Sequence, residues 1–233
     1  MDFSLTTLVI YFIALIIALA ALRSRLVYEL SGTSLLLFGS TKPGINFYSL
    51  IFLPGTIIHE LSHWVVAEVL QVRTGEITIF PDLSRIEDTY RLGSVATVKS
   101  DPFRGFLIGV APFFSGLIIC LVLGHFLQIG WGTYSWWTLS LIIYGIIVIS
   151  NSMLISKEDR RTWPFIIVFL TLIFTLISKY YPSLFIAHNS SFIKIFSSLN
   201  NILGVTAGLN LVMIVGLYSL RRVVEKIIKR RIL

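Results

Sequence analysis

The sequence predicts an all-α polytopic membrane protein of about six transmembrane helices, with a small β-hairpin or β-sheet insertion after the second of them. Three observations carry that expectation. Of the 233 residues, 55% are hydrophobic and only 13% are charged, about half the charge of a typical soluble domain, and the mean hydropathy is +0.85. Apolar runs near the ~20 residues a bilayer span needs recur at roughly 4–22, 45–70, 105–128, 134–155, 164–179 and 200–220. Between the second and third runs lies a stretch with strand character rather than helical periodicity.

The first run lacks a positive n-region, since Asp2 is the only early charge, and it is long. It reads as a retained helix rather than a signal peptide. The fifth run is the shortest. No repeat or low-complexity tract interrupts the chain, so residues 1–233 read as one membrane domain. Cys120, the only cysteine, excludes an intramolecular disulfide and suits a buried structural thiol. The net charge of +7 does not indicate nucleic acid, because the basic residues flank apolar runs rather than share one face with aromatics.

In the 71–104 loop, Thr74-Gly75-Glu76-Ile77-Thr78-Ile79-Phe80 alternates in part and breaks at Pro81-Asp82. Arg91-Leu92-Gly93-Ser94-Val95-Ala96-Thr97-Val98 is β-branched and punctuated by glycine. Two short strands with a polar connector follow, with an irregular loop as the alternative. Orientation is read from Lys and Arg. With the C-terminus inside, the loops 71–104 and 156–163 and the tail from 221 hold fourteen of the 19 basic residues. That places both termini in the cytoplasm of a multi-pass protein of the cell membrane. Arg23 and Arg25, after the first run, argue locally for the opposite hand. The tail 221–233, basic and partly amphipathic, suits the anionic inner leaflet.

The second run contains Pro54-Gly55-Thr56-Ile57-Ile58-His59-Glu60-Leu61-Ser62-His63-Trp64. Helical residues four apart lie about 40° apart around the axis and about 6 Å along it, so His59 and His63 can ligate one zinc ion. Glu60 then reaches a water in the open fourth position as its general base. Zinc supplies Lewis acidity and lowers the pKa of that water towards about 7. With 4 His and 7 Glu in the chain, this pattern arises by chance roughly 0.002 times. An ionisable residue in mid-span costs at least ~2.5 kcal/mol on insertion scales, which makes it a functional hypothesis by default.

A catalytic tetrahedral site needs a third protein ligand. His125 falls at the far end of the third run and His188 in an outside loop. Glu68 lies five residues past His63, rotated about 140° away. Glu158 and Asp159 remain, in Ser156-Lys157-Glu158-Asp159 after the fourth run, on the same expected side as the histidines.

An in-membrane HExxH, a following β-like stretch, a proline-containing span and an Asp after a further core helix resemble the site-2 protease family of intramembrane zinc metalloproteases, over roughly 45–163. The resemblance implies His59 and His63 as zinc ligands, Glu60 as catalytic base and Asp159 as third ligand. The family's Asn-Pro or Leu-Asp-Gly context of that aspartate is absent here, which keeps Glu158 open. Asn151 matches the family asparagine thought to hydrogen-bond substrate, and helix packing accounts for it equally well. Pro112, in Ala111-Pro112-Phe113-Phe114-Ser115-Gly116, reads as a kink, and Gly204 and Gly208 as a small-xxx-small packing pair. The implied function is a zinc endopeptidase cleaving membrane-anchored protein substrates near the cytoplasmic leaflet, with residues 74–98 presenting the substrate. The competing functions are a catalytically inactive relative acting as membrane chaperone or scaffold, and a metal transporter. The last would need ionisable residues through the membrane's depth, whereas here they cluster on one side.

Overall fold

The computed structural model describes residues 5–78, 94–97, 101–154, 172, 176, 180 and 189–228. The order is α1 (Leu5–Phe38), α2 (Lys42–Ile51), α3 (Leu53–Val69), β1 (Thr74–Thr78), β2 (Ser94–Thr97), α4 (Pro102–Gly130), α5 (Trp136–Ser152) and α6 (Asn189–Ile228). Among the described residues, α1, α4 and α6 are long and apolar enough to cross a membrane, and α2 with α3 makes a fourth candidate if the bent pair is one span. At 17 residues, α5 is apolar but shorter. The expected run at 164–179 lies outside the described residues, apart from Leu172 and Leu176.

Helix ends follow local chemistry. Gly39, at φ 69°, closes α1 with its N–H on the Leu35 carbonyl at 2.9 Å, a left-handed cap that glycine adopts without strain. Asp101 caps α4 by accepting from the N–H groups of Phe103 and Arg104 at 3.1 and 3.0 Å, with Pro102 next, where its missing N–H is harmless. α3 ends in a Schellman motif, in which the Val72 N–H reaches the Ala67 carbonyl at 2.9 Å and that of Gln71 the Glu68 carbonyl at 3.0 Å. Gln71 takes the left-handed position, φ 56°.

The single span expected over 45–70 is two helices bent by 71° at Phe52. Pro54 is the reason. In a continuous helix its ring would strike the Leu50 carbonyl and its nitrogen could donate nothing. The chain therefore restarts at Leu53, with Pro54 in the first turn of α3.

α1 and α6 run parallel. Asn200 donates from Nδ2 to the Leu8 carbonyl at 2.9 Å and Arg221 from Nε to Glu29 Oε2 at 2.7 Å, both pairs 192 residues apart in sequence. One register thus holds for about six turns. The fully buried Glu29 also pairs with Arg25 at 2.6 Å, and Arg221 with Glu225 at 3.1 Å. α5 runs antiparallel to α4 and α6 and parallel to α3. Met153 sits on Gly116 of α4, and Ser150 donates to Thr206 of α6 at 3.2 Å. Leu15, Leu19, Met153, Leu154 and Leu203 form one core cluster, and Leu26, Tyr48, Phe52, Val148 and Ile214 a second. Cys120 is fully buried. Facing outward at helical spacing are Ile10, Ile13 and Ile17 on α1 and Ile118, Val122, Phe126 and Ile129 on α4, a distribution suited to lipid rather than water.

The expected packing pair on α6 has no close neighbour among the described residues. Among the described residues, a Cβ added at Gly208 meets nothing within 4 Å, and at Gly204 only the Tyr11 hydroxyl at 3.8 Å. Close approaches between helices occur at Gly44, Gly55, Gly116 and Gly124, the last against Ile202 of α6.

β1 and β2 pair antiparallel, Thr74 opposite Thr97 and Thr78 opposite Ser94, with a register shift between Thr74 and Ile77. They follow directly on the cap of α3.

Candidate metal centre

His59, Glu60 and His63 share α3, beginning in its second turn. Gly55 sets that turn against α5, since any side chain there would run into Ser152 and the Val148 carbonyl. On the neighbouring flank, Ser62 Oγ meets Ser115 Oγ of α4 at 2.6 Å, and Ser115 donates to the Pro112 carbonyl at 3.1 Å. The motif is thereby held between α4 and the C-terminal end of α5.

The two imidazoles have ring centres 4.9 Å apart and planes at 83°. Two histidines on one tetrahedral zinc, with Zn–N about 2.1 Å, hold their ring centres about 5 Å apart, so the separation of the two rings is compatible with a shared ion. His63 Nδ1 lies 2.8 Å from the Ile108 carbonyl of α4. A carbonyl only accepts, so Nδ1 carries a proton, which in the neutral ring leaves the lone pair on Nε2, the tautomer a metal needs. Glu60 and His63 are buried, at 5% and 7% exposure, and His59 is half-buried. A carboxylate and an imidazole taken out of water in this way are unfavourable unless hydrogen-bonded or bound to a metal.

No family model matches the chain, and no curated protein or solved structure matches it. The arrangement of this chain's own residues therefore carries the functional argument.

The remaining expected residues fall as follows. Among the described residues, no group of three or more His, Cys, Asp or Glu side chains comes together to hold a metal ion. Asp159 and Glu158 lie outside the described residues, as does His188. Glu68 is exposed and accepts from Thr74 Oγ1 at 3.1 Å, directed to the start of β1. His125 is exposed on α4, about 25 Å along the helix from Ile108.

Asn151 is fully buried against α6. Its Nδ2 donates to the Ile147 carbonyl at 2.8 Å and to Asn210 Oδ1 at 3.3 Å, and its Oδ1 accepts from Asn210 Nδ2 at 2.8 Å. Both amide hydrogens are engaged, so helix packing accounts for this residue. The substrate contact expected from the resemblance would require breaking that pair.

Sequence reasoning missed the α4 contribution. The group that orients His63 is a backbone carbonyl, which no residue type announces. The available signal was Pro112, four residues beyond Ile108.

Proposed function

We propose that the protein is an intramembrane zinc metalloendopeptidase acting on membrane-anchored proteins. The observation that carries this reading is the buried turn of α3, where His59 stands beside a His63 whose tautomer is set by the Ile108 carbonyl, with Glu60 between them. His59 and His63 would hold the ion. Asp159 is the proposed third ligand, with Glu158 as the alternative. The reach is short, because Ser152 touches Gly55, one turn before His59, and the five residues from Leu154 to Asp159 span up to about 17 Å.

When bound, zinc supplies Lewis acidity towards the scissile carbonyl and makes water a nucleophile near neutral pH. The Glu60 carboxylate, next in sequence to the first histidine, takes the proton of the attacking water and delivers it to the departing amine nitrogen. β1 and β2, directly after α3, offer a strand edge on which a substrate segment is held extended, its backbone groups pairing as an added strand. A helical substrate would keep its peptide bonds shielded by its own turns.

We further assign the two chain ends to opposite membrane faces. A parallel α1 and α6 that each cross once bring Arg25 and Arg221 to one end of the bundle, which reconciles the Arg23–Arg25 signal with the basic tail. This replaces the arrangement with both termini cytoplasmic. Moving the six basic residues of the tail away from the 71–104 end also removes the charge excess on which the cytoplasmic leaflet rested.

The test is Glu60→Gln in the full-length protein, which is expected to retain about one zinc per chain while membrane substrates accumulate in cells expressing it. Zinc lost on His59→Ala or His63→Ala, with cleavage abolished by Glu60→Gln, supports the assignment. Zinc retained in the His59→Ala/His63→Ala double variant refutes the ligands. Bound zinc with cleavage unaffected by Glu60→Gln refutes the base and favours the scaffold alternative.

A further inference from the structure

We infer that Pro112 is a positioning residue for His63: it withholds a backbone N–H and so reserves the Ile108 carbonyl for the imidazole, fixing the ring proton on Nδ1. What that tautomer is for rests on the metal-centre reading above; the tautomer itself does not.

In a regular α-helix the carbonyl of residue 108 accepts from the N–H of residue 112. In α4 that residue is proline, which has no N–H, and its ring crowds the carbonyl four residues back. The helical donor for the Ile108 carbonyl is thus absent at the turn where His63 Nδ1 donates to it at 2.8 Å. All three residues are buried. A freed carbonyl in an apolar bundle needs a replacement donor, because proline is tolerated within membrane helices only where neighbours restore such bonds. The neighbour doing so here is a side chain of the HExxH motif.

A second link keeps the pairing in register. Ser115, one turn further along α4, bonds both the Pro112 carbonyl and Ser62, the residue before His63. The two contacts fix both the rotation of α3 about its axis and the height of His63 against α4. With Nδ1–H directed at Ile108, the lone pair of the neutral ring lies on Nε2, on the opposite side of the ring. A kink alone would not need this coincidence, since a proline one residue earlier or later would free the carbonyl of residue 107 or 109, on a different face of α4.

The experiment uses the full-length, metal-free protein with 15N-labelled histidine in lipid bilayers, His63 being assigned by the signal lost in His63→Gln. The wild type is expected to show His63 protonated at Nδ1 and unprotonated at Nε2. Finding the reverse tautomer there overturns the proposal without any variant. Pro112→Ala restores an N–H that competes for the Ile108 carbonyl, so the Nε2–H tautomer should appear. Zinc affinity, measured by chelator competition, should fall roughly 10–100-fold, the usual effect of losing a group that orients a ligand. A backbone ester at position 112, made with the hydroxy-acid analogue of alanine, again removes the donor but has no proline ring. It should restore both the tautomer and the affinity. Ester behaviour matching Pro112→Ala, or wild-type tautomer and affinity in Pro112→Ala, overturns the inference. A tautomer shift in a protein that binds no zinc supports the positioning and refutes the metal centre.

Discussion

Replacing Gly55 by alanine adds one methyl group at the contact that holds α3 against α5. Its Cβ would lie 2.7 Å from the Val148 carbonyl oxygen and 2.8 Å from Ser152 Cβ, and closer still to Ser152 Oγ. Carbon contacts settle at about 3.5–4.0 Å, so the end of α5 must withdraw by roughly 0.7–1.2 Å. The Ser152 hydroxyl can rotate away, but the backbone oxygen and the Cβ cannot. The cost should therefore fall in the upper half of the overpacking range, about 2–3 kcal/mol. The matched control is Gly208→Ala on α6, where the new Cβ meets nothing within 4 Å among the described residues and the higher helix propensity of alanine is worth at most about 1 kcal/mol. One chemical change thus has opposite signs at two sites, separated by about 3 kcal/mol. Equilibrium unfolding in mixed detergent micelles measures the difference. Zinc retention should fall in Gly55→Ala alone, because the displaced end of α5 leads to Asp159. Equal stabilities for the two variants would refute the close α3–α5 approach as what seats the motif.

Further outcomes follow from the same geometry. Gln71→Gly should stabilise the protein by about 1 kcal/mol in the same unfolding assay, because Gln71 holds a left-handed φ of 56° in the Schellman cap that glycine adopts without strain. Arg221→Met leaves two buried carboxylates, Glu29 and Glu225, with the half-exposed Arg25 and Arg222 as their remaining partners among the described residues and should cost about 3 kcal/mol, part of it recovered in Glu29→Gln/Arg221→Met, which relieves Glu29 but not Glu225. Epitope tags at the two termini should become accessible to protease from opposite sides of sealed vesicles; access from the same side would refute single crossings by a parallel α1 and α6.

Much of this was legible in the sequence where the determinant is local. Asp101-Pro102 announces the start of α4, and the four-residue spacing of His59 and His63 puts them on one helical face. Pro54 was equally readable, yet the apolar run through it masked the break, since hydropathy sums over a window and is blind to one missing N–H. The parallel pairing of α1 and α6 could not be read. It depends on Glu29 meeting Arg221, 192 residues away, and a charge count assigns sides without knowing which helices touch. The partners of Asn151 and of the glycines of α6 were hidden for a related reason. A polar or small residue in an apolar helix shows that a neighbour matters, but not which neighbour. Asn210 claims the asparagine amide, and nothing among the described residues fills the space at Gly208.

The two prolines around the motif show how one physical constraint gives two different results. In an apolar surrounding, every carbonyl released by an interrupted helix must find a donor on a neighbouring segment. At the break caused by Pro54, the Ile51 carbonyl accepts from the Tyr144 hydroxyl of α5 at 2.6 Å. At Pro112, the Ile108 carbonyl accepts from His63 at 2.8 Å. Tyrosine has one hydroxyl, and bonding it settles only its own direction, so the first repair fixes α5 against the bend and ends there. Histidine has two ring nitrogens, and fixing the proton on one decides what the other can do. The second repair therefore extends beyond packing, because satisfying a backbone group on α4 also decides which nitrogen of α3 presents a lone pair.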